Sequence, residues 1–470
     1  MNQSPLVPSH SSREVNFQFE LPPSDVLVDE DIRIRLTGMA PRQKVSFRAT
    51  THDDETRQWS SHAVFWSDSQ GEIDLAAHEP ICGSYRGVSP MGLFWSMRLA
   101  NGSNAGPAAT ASFIKKHPLP HWVMLEAELE NSAIVSGSIQ RKFCLSGTTV
   151  RDVVINNSNA LETWTETRAG NPTGNVARLF LPPVADGPSR SRLPAVIVVS
   201  GSGGGFDIDK AAVLSRHGFA TMALAYFGVP PLPKWLHGVP LEYIESALAW
   251  LAAQPEVDPE RIAILGVSRG AELALLAATR CSRIRAVVAY APSSVAWDSG
   301  GRDKATRRAI PAWTWRGEPI ASAPLPLRRF MWRSAFPVVA MKRPVMFRNL
   351  FRAGLRNARA VERAAIPVEQ ISGPILLVSG GDDHVWPAEE MAEAIMGRLR
   401  ARGFAHRIEH LHYPAAGHLL RYPHLPTTAR RSQHEHLRGA NFSFGGTPQA
   451  DAEAQADSWR RAIAFLRRHL

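Results

Sequence analysis

The sequence predicts an α/β protein in which an all-β N-terminal domain precedes a larger domain built on a parallel sheet. In the first third of the chain, short segments of alternating apolar and polar residues are separated by turn residues, which is the pattern of β-strands. Further along, continuous apolar runs alternate with helical stretches, which predicts parallel strands covered by helices. Because 470 residues are too many for one ordinary core, we expect a flexible N-terminus over residues 1–14, a β-sandwich over 15–145 and a second domain over 146–470.

The N-terminal domain is predicted to be a sandwich of short strands without helices. A strong turn at residues 68–72 precedes a strand at 73–75, and residues 122–144 have the pattern of a hairpin at the end of this domain. The other predicted strands cover residues 15–21, 32–36, 45–49 and 65–67. Regular short strands of this kind favour two packed sheets.

The second domain is predicted to be a parallel sheet with helices on both faces. The predicted strands cover residues 176–181, 194–199, 220–225, 261–265, 374–378 and 407–413. The predicted helices cover residues 210–217, 241–253, 271–278 and 388–400. Since crossovers between parallel strands are right-handed, the carboxyl ends of these strands should meet at one edge, where functional sites form.

One pentapeptide, Gly266-Val267-Ser268-Arg269-Gly270, carries the most specific chemical signal. An apolar strand precedes it and a good helix-forming segment follows it, which is the context that a nucleophile elbow requires. The serine of such an elbow lies in a tight turn, so its neighbours must lack side chains. A chance match in a surface loop would lack that flanking strand and helix. We therefore predict an α/β-hydrolase fold with Ser268 as the nucleophile.

A serine nucleophile needs a histidine base and an acid that orients it, and in this fold the acid precedes the histidine in the chain. Asp383 lies three residues after Gly380 and four before Pro387, just past a predicted strand, and is the favoured acid. Asp382 remains the alternative and would otherwise cap the turn or the following helix. His418 follows the last strand in a Gly-His turn and is the predicted base.

Three other histidines near these segments are given structural interpretations. His384 precedes the expected position of the base and is interpreted as an ordinary loop residue. His410 and His412 lie within the last predicted strand and are interpreted as structural.

The oxyanion hole needs two N–H donors. One is predicted to be the backbone of Arg269, and the other the backbone of Ser202 or Gly203 in the glycine-rich loop 200–206, with nothing to choose between them. This loop lacks the Gly-Lys-Ser/Thr ending of a phosphate-binding loop and the dinucleotide fingerprint. No cofactor is predicted, and no metal site, because the histidines are scattered without metal-ligand spacing.

The totals restrict the class of protein. Three cysteines without CxxC spacing favour a reduced, intracellular chain. We find neither a secretory signal nor an apolar run long enough to span a membrane, so a soluble, cytoplasmic protein is expected. A net charge of +10 favours anionic partners.

The sequence resembles the acyl-CoA thioesterase and bile acid-CoA:amino acid N-acyltransferase family, the type-I acyl-CoA thioesterases. The resemblance covers nearly the whole chain and rests on residues 35–41, 71–75, 89–95, 201–205, 217–226, 241–243, 266–273, 381–386, 413–418 and 445–448, together with Trp459. It implies a β-sandwich followed by an α/β-hydrolase domain, a triad of Ser268, Asp383 and His418, and a fatty-acyl-CoA substrate. Members that transfer acyl groups to glycine or taurine resemble a form with cysteine at the elbow, so Ser268 favours water as the acceptor.

One stretch departs from the family. Residues 302–363, here called the basic segment, contain fifteen Lys or Arg against three Asp or Glu and lie in a lid-like insertion at about 295–365. The segment is interpreted as a basic mouth for the CoA phosphates, as a contact with an anionic membrane, or as a solvated face whose arginine stems cover apolar surface.

The expected partner is a small-molecule acyl-CoA and no nucleic acid, and the sequence sets no oligomeric state. Three other functions remain open: an acyltransferase to an amine, a carboxylesterase or dienelactone-type hydrolase, and a catalytically inactive binding module.

Overall fold

The computed structural model describes residues 17–22, 25–100, 112–130, 133–154, 176–183, 192–433 except 304, 307 and 342, and 441–470. The predicted flexible N-terminus therefore lies outside the described residues. The first part of the chain contains the short helix α1 (Gly92–Trp95) and the strands β1 (Gln18–Glu20), β2 (Asp25–Leu27), β3 (Arg35–Thr37), β4 (Lys44–His52), β5 (Gln58–Trp66), β6 (Ile73–Asp74), β7 (Cys82–Gly83), β8 (Arg98–Leu99), β9 (His121–Leu129) and β10 (Ile134–Lys142).

These strands form two sheets, as the alternating pattern predicts. One has the order β1-β3-β6, and the other has the order β2-β10-β9-β4-β5-β7 with β8 paired to β5. The predicted hairpin is the antiparallel pair β9 and β10. Every second residue of β4 is buried, and Phe47 on that face contacts Phe19 of the other sheet with ring centroids 5.9 Å apart. Helix α1 corrects the expectation of a domain without helices.

The second part of the chain contains the large sheet and its covering helices. Its strands are β11 (Thr149–Val153), β12 (Ala177–Leu181), β13 (Leu193–Val199), β14 (Ala220–Leu224), β15 (Val239–Pro240), β16 (Val257–Val267), β17 (Ile284–Tyr290), β18 (Trp313–Trp315), β19 (Glu318–Pro319), β20 (Ile375–Gly380), β21 (Ile408–Tyr413), β22 (Arg431–Gln433) and β23 (Asn441–Ser443). Its α-helices are α2 (Ile208–Ser215), α3 (Glu242–Ala252), α4 (Arg269–Ala278), α5 (Leu327–Phe330), α6 (Phe336–Ala340), α7 (Arg348–Leu355), α8 (Ala358–Ala364), α9 (Ala388–Ala401) and α10 (Pro448–His469).

The large sheet has the order β11-β12-β14-β13-β16-β17-β20-β21. From β14 to β21 all neighbours are parallel, but β12 is antiparallel to both β11 and β14. The expectation of a purely parallel sheet is therefore wrong at this edge. The direction of β12 is set by its antiparallel pairing with β11 and β14, which the apolar pattern of a single strand does not specify. The fold is that of an α/β-hydrolase.

Alternate residues of the central strands enter two separate cores. In β13, Val196 and Val198 pack on the side covered by α2 and α10, whereas Ile197 and Val199 pack on the side covered by α3, α4 and α9. Burial on both faces explains the continuous apolar runs of the sequence. Because β13, β16, β20 and β21 belong to the parallel part of the sheet, their carboxyl ends lie at one edge.

The stretch between β17 and β20 contains β18, β19 and α5 to α8, and this is where the lid-like insertion was expected. A third apolar cluster, which includes Trp297, Leu350 and Trp386, packs it onto the sheet. Among the helices of the described residues, none is both long and apolar enough to cross a bilayer.

Candidate active site

Ser268 is the residue between β16 and α4, and its backbone is strained. It has φ 57° and ψ −120°, a region that costs a non-glycine residue about 1–3 kcal/mol. Its N–H donates to the carbonyl of Tyr290 at 2.8 Å, which helps to fix the turn. The structure thus forms the tight strand–turn–helix that the pentapeptide predicts.

The two glycines of the elbow are required by close backbone contacts. A Cβ on Gly266 would lie 2.1 Å from the carbonyl oxygen of Gly270, and a Cβ on Gly270 would lie 2.2 Å from that of Ser200. A Cβ on Gly201 would lie 3.4 Å from Cβ of Ser268. The glycine-rich loop therefore lies directly beside Ser268.

Internal hydrogen bonds shape this loop. The N–H of Gly204 donates to Gly201 at 3.1 Å, and the N–H of Gly205 donates to Phe227 at 2.9 Å. Within the described residues, the N–H groups of Ser202 and Gly203 have no protein acceptor, so both remain candidates. The N–H of Arg269 is in the first turn of α4, where helix geometry supplies no acceptor.

Asp383 and His418 form a buried pair. Nδ1 of His418 donates to Oδ2 of Asp383 at 2.7 Å. The other carboxylate oxygen of Asp383 accepts the N–H groups of Val385 and Trp386 at 2.8 and 3.1 Å. Only 1% of Asp383 and 6% of His418 is exposed. Because Nδ1 is committed to the carboxylate, the neutral ring keeps Nε2 as its proton acceptor.

Asp382 has different partners. Its Oδ1 accepts from Nε2 of His384 at 2.9 Å, and its Oδ2 accepts the N–H of Gly446 at 2.9 Å. The expectation that it caps the turn or the following helix is wrong, because its oxygens accept from His384 and Gly446 and α9 begins after Pro387 without a side-chain cap. His384 also contacts Oγ of Ser443 at 2.9 Å, so it joins the loop after β20 to strand β23.

The other two histidines have structural partners, as expected. His410 contacts Oγ of Ser379 at 2.8 Å and Glu393 at 3.1 Å, and burial lowers its pKa. His412 pairs with Glu389 at 3.3 Å. No group of three or more potential metal ligands occurs among the described residues.

Sequence reasoning missed Asp451, a buried carboxylate near the Asp383–His418 pair. Its Oδ1 accepts the N–H of Gly417, the residue before His418, at 2.7 Å. Burial is the main cause that raises the pKa of Asp451 to about 7; the hydrogen bond from Gly417 and the charge of Arg430 lower this pKa, and the charges of Asp382 and Asp383 raise it. The sequence signal that could have found it is Thr447-Pro448, a capping residue and first-turn proline that predict a helix starting here with Asp451 in its first turn.

The side chain of Arg269 points into a buried polar network and not toward solvent. Its guanidinium donates to Glu272 at 2.8 Å and to the carbonyls of Trp297 and Asp298 at 3.3 Å. Glu272 in turn accepts from the indole of Trp313 at 2.6 Å and the N–H of Trp297 at 2.9 Å. The network ties the insertion to α4, so an oxyanion role for Arg269 would use only its backbone.

Comparison with known proteins places this chain in a family. Residues 29–154 match the model for the acyl-CoA thioester hydrolase/BAAT N-terminal region, and residues 239–470 match the BAAT/acyl-CoA thioester hydrolase C-terminal model. The peroxisomal succinyl-coenzyme A thioesterase of Mus musculus is 30% identical over 94% of both chains. Acyl-coenzyme A thioesterase 1 of Mus musculus is 31% identical over 94% of both chains.

A solved structure, the putative dienelactone hydrolase of Klebsiella pneumoniae, is 20% identical, covers 62% of this chain and 91% of its own, and superposes with a TM-score of 0.36. So loose a superposition has no bearing on the site. The two family models and the full-length relatives are consistent with the resemblance seen in the sequence. The chain belongs to the acyl-CoA thioester hydrolase/BAAT family.

Proposed function

We propose that this protein hydrolyses fatty-acyl-CoA to free acid and CoA through an acyl-serine intermediate on Ser268. The observation that supports this most is the buried Asp383–His418 pair, 2.7 Å apart, at the sheet edge that also carries the strained Ser268. In a family of acyl-CoA thioester hydrolases, this constellation suits attack on a thioester.

The first half-reaction transfers the acyl group to the enzyme. Nε2 of His418 accepts the proton of Ser268, whose oxygen attacks the thioester carbonyl. The N–H groups of Arg269 and of Ser202 or Gly203 donate to the resulting oxyanion. The carbon–sulfur bond breaks, and the CoA thiolate takes the proton from His418.

The second half-reaction releases the acid. His418 removes a proton from a water molecule, which attacks the acyl-serine carbonyl. Collapse of the second tetrahedral intermediate breaks the ester bond and returns the proton to the oxygen of Ser268. Throughout, Asp383 orients His418 and stabilises its positive charge.

Water is the proposed acceptor because the elbow carries serine. The amine-transferring alternative predicts an amide product when glycine or taurine is added. The carboxylesterase alternative predicts faster turnover of simple esters than of acyl-CoA, and an inactive binding module predicts no turnover of either.

A thiol-release assay over a series of acyl-CoA chain lengths tests the proposal with wild type and Ser268→Ala. We expect release by wild type and a loss of about 10³-fold or more in the variant. Equal release by both proteins would contradict the serine mechanism. Ester turnover without thiol release would contradict the substrate.

We also propose the domain division that the sequence predicts: a sandwich over 15–145, a hydrolase domain over 146–470 and an insertion at about 295–365. The proposed compartment is the cytoplasm, although one relative is named for the peroxisome. Fractionation of cells expressing the full chain would check the compartment.

A further inference from the structure

Part of the positive charge of the basic segment has no acidic partner. Within the described residues, Arg328, Arg329 and Arg333 form no ion pair, whereas the exposed Arg352 of the same segment pairs with Glu390. Exposed arginines without acidic partners create a positive local potential, which attracts an anionic ligand.

These arginines line a pocket. Arg328, Arg329, Trp332 and Arg333 lie on one face of α5 and of the π-helical turn that follows it, and they border a pocket of about 420 Å³. The rest of the lining, which is mainly apolar, comprises Arg302, Leu325, Pro326 and Leu327. We call this site the basic pocket.

The basic pocket is joined to the elbow by buried hydrogen bonds. The N–H of Leu325, in its lining, donates to Oδ2 of Asp298 at 3.1 Å. The carbonyl of Asp298 accepts from the side chain of Arg269 at 3.3 Å, and Arg269 is the residue after Ser268. Oδ1 of Asp298 accepts the N–H of Gly300 at 2.9 Å. The pocket wall is thus fixed relative to the nucleophile.

We propose that the basic pocket binds the phosphorylated nucleotide end of the acyl-CoA substrate. Arginine binds phosphate through paired N–H donors, and the exposed indole of Trp332, 70% accessible, offers a face on which a purine can stack. The apolar lining suits a planar base. This assignment rests on the proposed function, because it identifies where that reaction's substrate is held.

An anionic membrane is the competing ligand, since Trp332 and Phe336 are both exposed. The arginines, however, border an apolar lining in which Leu325 is linked through Asp298 to Arg269. A site that hydrogen bonds join to the elbow suits a small ligand that must reach Ser268, whereas binding to a bilayer does not require that link.

Calorimetry with adenosine 3′,5′-bisphosphate tests the pocket without turnover. We compare the full-length wild type with the triple variant R328Q/R329Q/R333Q. The matched control R356Q/R359Q/R363Q removes three exposed arginines elsewhere in the insertion. Wild type and control should bind the probe alike, and the pocket variant should bind at least about tenfold more weakly. No binding by wild type, or equal weakening in both triples, overturns the proposal.

Kinetics and vesicle binding separate the sources of phosphate. In the pocket variant, KM for acyl-CoA should rise about tenfold or more, while the kcat/KM for the matching acyl-pantetheine, which lacks the nucleotide, should equal that of the control. Loss of sedimentation with phosphatidylserine vesicles, at unchanged KM and probe affinity, would instead identify a membrane surface. Absence of thiol release from any acyl-CoA with probe binding intact would overturn the proposed hydrolysis and leave the nucleotide site standing.

Discussion

The region around the proposed triad and the basic pocket differ in how their charged groups are paired. Near the proposed nucleophile, Asp383 is buried and both of its carboxylate oxygens accept hydrogen bonds. In the basic pocket, Arg328, Arg329 and Arg333 are exposed and have no ion-pair partner among the described residues. Groups that carry out bond chemistry must be held in place before substrate arrives. Groups that hold a charged ligand can remain solvated until it binds.

The largest expected effect concerns the choice between two adjacent carboxylates. Asp383→Asn should lower kcat by about 10⁴-fold, because the amide no longer holds His418 in the correct tautomer. Asp382→Asn should lower it less than about tenfold, since Asp382 contacts His384 and Gly446. Thiol-release kinetics of the pair measure both effects, and similar losses in the two variants would contradict the assignment of the acid.

A smaller effect is expected at the buried ion pair behind the elbow. Glu272→Gln leaves the guanidinium of Arg269, 2.8 Å away and buried, without its counter-charge. Breaking a buried pair in this way should lower the free energy of unfolding by about 3–5 kcal/mol. Urea denaturation followed by tryptophan fluorescence measures the change.

Arg352→Gln is the matched control for that experiment. Arg352 and Glu390 also form an ion pair, but about half of each side chain is exposed. Such a pair should contribute less than about 1 kcal/mol. Equal losses in the two variants would mean that the insertion is as tightly held as the elbow, and the contrast between the two regions would fail.

The contrast also explains what sequence alone could predict. Local pattern sufficed for the elbow, because strand, glycines and helix are contiguous, and for the sandwich strands, because each alternates within a few residues. It favoured Asp383 over Asp382 from spacing alone but did not exclude Asp382, since the two adjacent carboxylates differ in which distant residues they contact. Likewise the prediction of a parallel β12 was wrong, because the direction of this strand depends on its pairing with β14. Asp451 was missed because its contact with Gly417 spans a sequence separation of 34 residues.

The last prediction concerns pH. The pKa of Asp451 is raised to about 7 from an ordinary value of 3.8, so its stabilising contribution is present below about pH 4 and is lost as pH rises through 7. In Asp451→Asn, an amide oxygen can still accept from Gly417 but does not titrate. Between pH 5 and 8, the free energy of unfolding of wild type should therefore fall relative to the variant by about 2–3 kcal/mol.

Asp457→Asn, on the same helix, is the control for that titration. Burial raises the pKa of Asp457, but hydrogen bonds from Tyr413 and Arg460 hold that pKa below its ordinary value. The difference in free energy of unfolding between wild type and Asp457→Asn should therefore not change with pH above pH 5. A flat difference for Asp451 as well would show that its carboxyl is ionised throughout. Arginines do not titrate in this range, and the basic pocket should respond to salt instead. The triad region and the basic pocket would then be distinguished by the variable that perturbs each: proton concentration for the first and ionic strength for the second.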